Sequence, residues 1–481
     1  MKNQRGYLFI LGVLVIVLFT SLLKKDILKP KSNTEEYTSL DSKVNFQNGP
    51  VPNADFINAD GSVSKPNFST FPEGYTLLNG GVSVAAFHEL SYQTFLWLMS
   101  ETENGKLLFE EMYNSDAIHP DEPNPKKHTL GGIMQVDYRV LVDENSNPVY
   151  TTLMINPTYR DFVHKHKLYT VEGMEAAADT LNFPVGSMSM KASWKILEDK
   201  NDPLYKTAYV VKNANVYKPI YHNGKLTTSE LVYENGKYLK TTYKADVALV
   251  GFHIAVVPKD HYEFVWATFE HKNNAPNFNP QELLKEGIKN PYDQVVYDGD
   301  KNYTFYKNGT KAKDSNVSDE GLKFSVDEET NKIYVDNKPY TTQVYRRLQF
   351  GGGSEINRQN IDSLNRMVYK KLPENSIWRN YFEVGGVWFK NKTQKIFPGW
   401  TPEVNFSLMN GSTALCNSTI ETFTQEETSI ADNCFGCHFT KEYTYKNKTL
   451  KGKNILTSHI LLQNYLDSFV EPEEQPVLVH R

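Results

Sequence analysis

Apolar and polar residues alternate along the middle of the chain, starting with the run GSMSMKASWKIL at residue 186. Met188, Met190 and Trp194 alternate there with polar residues such as Lys191 and Ser193. A period of two places successive side chains on opposite faces of a β-strand. Similar runs continue to about residue 345, and ENGKY contains the Asn-Gly pair of a tight hairpin. The pattern predicts a large antiparallel, sandwich-like β-rich body.

Apolar residues recur at helical spacing on both sides of this region. The stretch 83–113 carries Phe87 and Leu90 at such spacing, and a second stripe after residue 359 includes Ile361 and Leu364. The run NILTSHILLQNYLDSF near the C-terminus has the pattern of another amphipathic helix. Helices flanking a β-rich middle predict the α+β class, with N-terminal helices and a C-terminal helical segment.

These features divide the chain into five predicted parts. They are a signal anchor or transmembrane helix (1–28), a flexible linker (29–75), a helical or mixed N-terminal part of the body (76–180), the β-rich body (181–345) and a helical C-terminal part (346–481). The linker is assigned because it is rich in Asn, Ser, Pro and acidic residues and lacks periodicity.

The N-terminus contains an uncharged apolar run at residues 7–23, between Arg5 and a lysine pair that starts at Lys24. As a helix this run would rise about 25 Å, near the lower limit for crossing a bilayer. No small-residue cleavage site follows it, so we predict an uncleaved signal anchor. A cleaved signal peptide with an atypical site is the alternative.

The composition of the chain excludes some classes of protein. The formal net charge of −5 gives no electrostatic basis for nucleic-acid binding. Aromatic residues make up 13% of the chain, which favours strands. Three cysteines cannot form a disulfide framework, so the fold must be held together by its core.

Two of those cysteines lie in ADNCFGCHFTKEY, where Cys434, Cys437 and His438 form the pattern C-x-x-C-H. This spacing is typical of c-type haem attachment, because both thiols can reach the vinyl groups on one porphyrin edge. The next residue then brings its imidazole to the iron. Two alternatives are a thioredoxin-type redox pair, which needs a βαβ unit, and half of a zinc site, which needs a second pair.

Covalent attachment of haem takes place outside the bacterial cytoplasmic membrane, so the motif also predicts an orientation. We expect a single-pass protein of the cytoplasmic membrane, with its body in the periplasm and one covalent haem c. The cytoplasmic membrane, through the N-terminal helix, and an unidentified redox partner protein are the predicted partners.

Several stretches together resemble a family of bacterial exported proteins described only as cytochrome c family proteins. GSMSMKASWKIL, LVGFHIAVV and VWATFEHKNNAPN resemble its strand core, and SIWRNYFEVGGVWF resembles another of its segments. SYQTFLWLMS resembles its N-terminal helix, although the usual Trp and Pro are absent. LCNSTIETFTQ followed by NCFGCH resembles its haem-binding run, with Cys416 where Ala is usual. The resemblance implies a haem protein and names no substrate.

Histidines are the candidates for the distal iron ligand, because no methionine follows His438. His459 is the first candidate, since Ile455, His459 and Leu462 fall on one face of a predicted helix. A core histidine hydrogen-bonded to backbone is the alternative interpretation. His253, between the small residues of VGFHIAV, is the second candidate.

The sequence alone leaves three functions open. Electron transfer is the first, because it requires only a held and partly exposed haem edge. A haem enzyme of peroxidase or oxygenase type would need an open distal position. A redox or gas sensor is the third and weakest possibility. Arg346 and Arg347 are candidate partners for the haem propionates, and a surface role suits them equally well.

Overall fold

The structure is a computed structural model that describes residues 52–69, 84–135, 139–282, 284–317, 321–390, 396–401, 408–425, 433–445 and 447–469. Its helices are α1 (Val84–Leu98), α2 (Pro157–His166), α3 (Val171–Ala176), α4 (Leu204–Thr207), α5 (Glu355–Lys371), α6 (Cys434–Cys437) and α7 (His459–Asp467).

The strands are β1 (Tyr113–Asn114), β2 (Tyr150–Ile155), β3 (Met188–Leu197), β4 (Val210–Tyr217), β5 (Pro219–His222), β6 (Lys225–Thr228), β7 (Tyr233–Glu234), β8 (Lys237–Tyr238), β9 (Thr242–Val256), β10 (Val265–His271), β11 (Phe324–Asp327), β12 (Lys332–Val335), β13 (Lys338–Pro339), β14 (Tyr381–Phe389), β15 (Met409–Gly411), β16 (Tyr443–Tyr445) and β17 (Lys448–Leu450).

One eight-stranded sheet organises the fold. Its order is β1-β2-β3-β9-β10-β14-β15, with β4 paired to β9, and these pairings are antiparallel. The next largest sheet, β11-β12-β13, has three strands. The predicted mixed class with a large antiparallel sheet is therefore confirmed. The sheet draws strands from residues 113 to 411, so distant parts of the chain meet in it.

The two faces of the sheet bury separate cores, because side chains alternate along each strand. On β9 and β10, Ile254 and Ala267 face one core with α1, whereas Ala255 and Trp266 face the other. The second core also contains side chains from α2 and from the C-terminal segment, such as Leu461. The second face carries the candidate site.

Several elements lie where local sequence patterns predict them. The Asn235-Gly236 pair joins β7 to β8 with positive φ at both residues, as a tight hairpin turn requires. The C-terminal helix differs from its prediction, because α7 begins at His459 and Ile455 lies in a preceding 3-10 turn. Both residues are nevertheless buried.

Residues 52–69 belong to the segment predicted as a flexible linker, yet they pack against the body. Ala54, Ile57 and Phe68 are buried in the first core. The Asn53 N–H donates to Glu89 on α1 at 2.7 Å. This part of the segment is held by apolar burial that its polar composition did not reveal.

The prediction of a single-pass membrane protein is corrected by the described helices. None of them is long and apolar enough to cross a bilayer. The apolar run 7–23, on which the anchor was predicted, lies outside the described residues. The membrane and periplasmic localisation derived from that anchor is withdrawn.

Candidate functional site

The CFGCH segment contains a single helical turn, α6, which is held in place by a capping residue and by a buried aromatic ring. Asn433 caps it by accepting a hydrogen bond from the Phe435 N–H at 2.9 Å. Phe435 is fully buried and packs on the rings of Phe389 and Trp400. Cys434 and Cys437, three residues apart on one helical face, remain partly exposed. The two thiols thus lie on one side of an anchored turn.

His438 follows directly and its ring is held on three sides. Its Nδ1 lies 2.8 Å from the carbonyl oxygen of Thr457. The His459 ring stacks on one face at 3.7 Å between centroids, and the Trp266 ring lies 4.0 Å away. A carbonyl can only accept, so Nδ1 carries the proton and Nε2 keeps its lone pair. Burial, and then the neighbouring His459, lowers the pKa of His438 well below its ordinary value, so the imidazole is neutral.

His253 projects from the central strand β9 towards the same region. Its Nε2 lies 3.2 Å from Oε2 of Glu421. Glu421 in turn accepts a hydrogen bond from the Asn417 N–H at 2.9 Å. The loop that carries Glu421 lies directly on the sheet, since a Cβ at Gly251 would come within 2.3 Å of Thr419 Oγ1. Gly251 therefore leaves no free space beside His253, whereas Ala255 on its other side lines the cavity described next.

A cavity of about 90 Å³ lies between these groups. His253, His438 and His459 all line it, and so do Lys191, Trp266 and Glu421. This volume suits a small ion or a few solvent molecules and lies below the roughly 300–1,000 Å³ usual for sites that enclose a small organic molecule. The structure thus brings together the three histidines that the sequence singled out.

The two candidate arginines are engaged elsewhere. Arg346 is 3% exposed and binds Glu270 through Nη2 at 2.6 Å and Nε at 3.2 Å. The Arg347 side chain donates through Nη1 to the Gln425 carbonyl oxygen at 3.4 Å. Neither side chain lines the cavity. The suggested propionate role for Arg346 is therefore wrong, because its charge is already neutralised by Glu270.

The metal-binding prediction also needs correction. Within the described ranges, no group of three or more His, Cys, Asp or Glu side chains could hold a metal ion. A metal centre built from several protein ligands is therefore not retained.

Sequence reasoning missed Lys191, Trp266 and Glu421 as parts of the site. The period-two pattern placed Lys191 among the polar residues of β3, and nothing in the pattern indicated that this face is covered. In the folded chain the C-terminal segment covers it. Glu421 stands in the quoted run LCNSTIETFTQ but carried no signal of its own.

No family model, curated protein or solved structure matches this chain.

Proposed function

We propose that this protein carries one haem c, bound covalently through Cys434 and Cys437 with His438 as the proximal ligand, and that it transfers electrons. One observation carries the proposal. The imidazole of His438 is neutral, and its Nδ1–H is used by the Thr457 carbonyl, so Nε2 is the nitrogen left for iron. Iron-binding histidines generally donate their other ring N–H in this way.

The two thiols suit covalent attachment better than thiol redox chemistry. They stand three residues apart on the anchored turn α6, beside the cavity. Burial raises the pKa of the Cys434 thiol well above its usual value, with a smaller contribution from Glu421. Reactive redox cysteines instead have lowered pKa values. The rings packed around Phe435 keep the turn in place.

A haem bound there would supply one-electron iron chemistry. Its porphyrin provides four nitrogen donors, so a single protein imidazole suffices as the proximal ligand. Electron transfer would then need a redox partner protein. The resemblance to cytochrome c family proteins supports the same proposal.

A haem enzyme is the second candidate, and the polar pair in the cavity favours it. His253 and Glu421 lie 3.2 Å apart on the cavity wall, where an acid–base pair could act on a small ligand. A ferric spectrum that is high-spin in the purified protein would support this candidate over electron transfer.

Covalent attachment can be tested by expressing the chain together with a cytochrome c maturation system. After denaturation and acid–acetone extraction, we expect the haem to stay on the wild-type chain. Cys434→Ala combined with Cys437→Ala should lose it, as measured by the pyridine haemochrome spectrum and haem staining of denaturing gels.

Cys416→Ala is the matched control, because Cys416 is buried and donates to the Thr424 carbonyl at 3.2 Å. It should keep its haem. A wild-type chain without covalent haem, made in cells that load a known c-type cytochrome, would contradict the proposal.

A further inference from the structure

Lys191 occupies an unusual place for a lysine. It lies in the middle of β3, paired with Leu153 on β2 and with His253 on β9, so it belongs to the interior of the sheet. Its side chain is half-buried and lines the cavity. A charged group in such a position normally has a carboxylate partner, because burial of an unpaired charge is costly.

No such partner is present in the parts of the chain that the structure describes. No carboxylate lies within 4.0 Å of the Lys191 ammonium, and no hydrogen-bond acceptor is in range. Glu421 also lines the cavity, where its Oε2 faces His253 Nε2 and accepts the Asn417 N–H, and its charge acts on Lys191 from beyond ion-pair distance. Burial lowers the pKa of Lys191, while the charges of Glu421 and Cys437 oppose that shift.

Trp266 supplies a second, independent observation on the same wall. Its side chain is 8% exposed, and its indole N–H has no acceptor among the described residues. Trp266 and Ser189 both pair with Ala255 in the sheet, so they share the face that carries Lys191. Ser189 also lines the cavity. This wall therefore carries the Lys191 ammonium and Ser189, and the Trp266 indole N–H beside them is a buried third donor group.

We propose that Lys191, together with Trp266 and Ser189, binds an oxyanion in this cavity. A carboxylate or a similar small oxyanion offers several acceptor atoms and one negative charge, which matches this set of donors. Two sources have that chemistry: a propionate of the bound haem, or a free oxyanion that enters as a ligand. Only the propionate source rests on the proposed function.

The first test uses sodium nitrite as the probe at constant ionic strength, with thermal unfolding and the Soret band as readouts. A ligand that binds only the folded chain raises its Tm in a saturable way. For a free oxyanion, wild type should show this response, and Lys191→Met should bind nitrite at least tenfold more weakly. Lys191→Arg, which keeps the charge, should stay within about threefold of wild type. Lys165→Met, on the exposed side of α2, is the control and should behave as wild type.

The second test distinguishes the propionate. If wild type shows no saturable response to nitrite, resonance Raman spectra should show a shifted propionate-bending band in Lys191→Met and an unshifted band in Lys191→Arg. Without added anion, Lys191→Met should also unfold at a higher temperature than Lys191→Arg in the free-oxyanion case, because it removes an uncompensated charge.

These outcomes separate the two proposals. A preparation without covalent haem would overturn the proposed function. The change of its Tm with nitrite would still test whether Lys191 binds an oxyanion. If Lys191→Met alters neither nitrite binding nor the propionate band, the oxyanion site is wrong, whatever the haem content.

Discussion

At the scale of single residues, the contacts of His438 limit how the neighbouring His459 could bind iron. His459 stacks on the face of the His438 ring at 3.7 Å, and its Nε2 lies 2.8 Å from the Cys437 carbonyl oxygen. A ring in that position lies beside His438 and cannot bind iron from the opposite side unless the two rings separate. His459 as the distal ligand stays a prediction that requires this movement. His253, which lines the same cavity with its Nε2 3.2 Å from Glu421 Oε2, stays the other predicted distal ligand.

The absorption spectrum of the haem-loaded protein can distinguish the two histidines. We expect a low-spin ferric spectrum for wild type. His459→Ala should keep this spectrum, because His438 and His253 would remain as the two iron ligands. His253→Ala should become high-spin and should bind added imidazole. The reverse pattern, with a high-spin His459→Ala and an unchanged His253→Ala, would show that the rings separate and that His459 is the ligand.

At the scale of elements, a buried ion pair fixes the loop that carries Glu421. Glu270 on β10 is fully buried and binds Arg346, and its other oxygen accepts the Ser418 N–H at 2.6 Å. The Ser418 hydroxyl also donates to Glu270. Asn417 adds a hydrogen bond to Thr268 Oγ1 at 2.7 Å. The sheet thereby holds the loop where Glu421 can reach His253.

Glu270→Gln should therefore destabilise the protein and release this loop. Removal of one partner leaves the Arg346 charge buried and uncompensated, which costs about 3–5 kcal/mol. Urea unfolding measures this cost, and hydrogen exchange should accelerate in residues 412–425 more than in β3.

The matched control for this change is Asp55→Asn. Asp55 pairs with Lys371 at 2.7 Å on the surface, where its side chain is 79% exposed. Loss of such a pair should cost less than about 1 kcal/mol. Equal costs for the two variants would mean that the buried pair does not anchor the loop.

At the scale of the whole molecule, stability depends on groups that the fold keeps neutral. His271 ends β10 and is fully buried, with its Nε2 3.1 Å from the Thr207 carbonyl oxygen and its Nδ1 accepting from the Asn273 N–H. Burial lowers the pKa of His271 to about 4, although the bond to Thr207 partly opposes the shift. Unfolding would return this pKa to about 6.5.

A lowered pKa in the folded state means that the unfolded chain binds the proton more tightly. The contribution of His271 to the free energy of unfolding is therefore complete above about pH 6.5 and is lost as the pH falls towards 4. It amounts to about 3 kcal/mol. In urea titrations, the difference between wild type and His271→Gln should shrink by that amount over this range. A constant difference for His271→Gln over this range would refute the assignment.

Much of the secondary structure could be predicted from local patterns. The alternation in β3, the Asn-Gly turn between β7 and β8, and the stripe in α5 each correspond to an observed element. Local patterns succeed there because side-chain direction has a fixed period in strands and helices. They failed for residues 52–69, where a few apolar residues in a polar segment pack into a core formed by distant residues.

The candidate site divides in the same way. By itself the sequence determined the prediction of haem attachment. That prediction depends only on the spacing of two thiols and one imidazole in CFGCH. It also selected His253 and His459 as the other imidazoles to consider. Only the tertiary structure placed them in one cavity with His438 and showed Lys191 on its wall. Those contacts join residues far apart in the chain, and strand register and packing set them, so no local pattern encodes them.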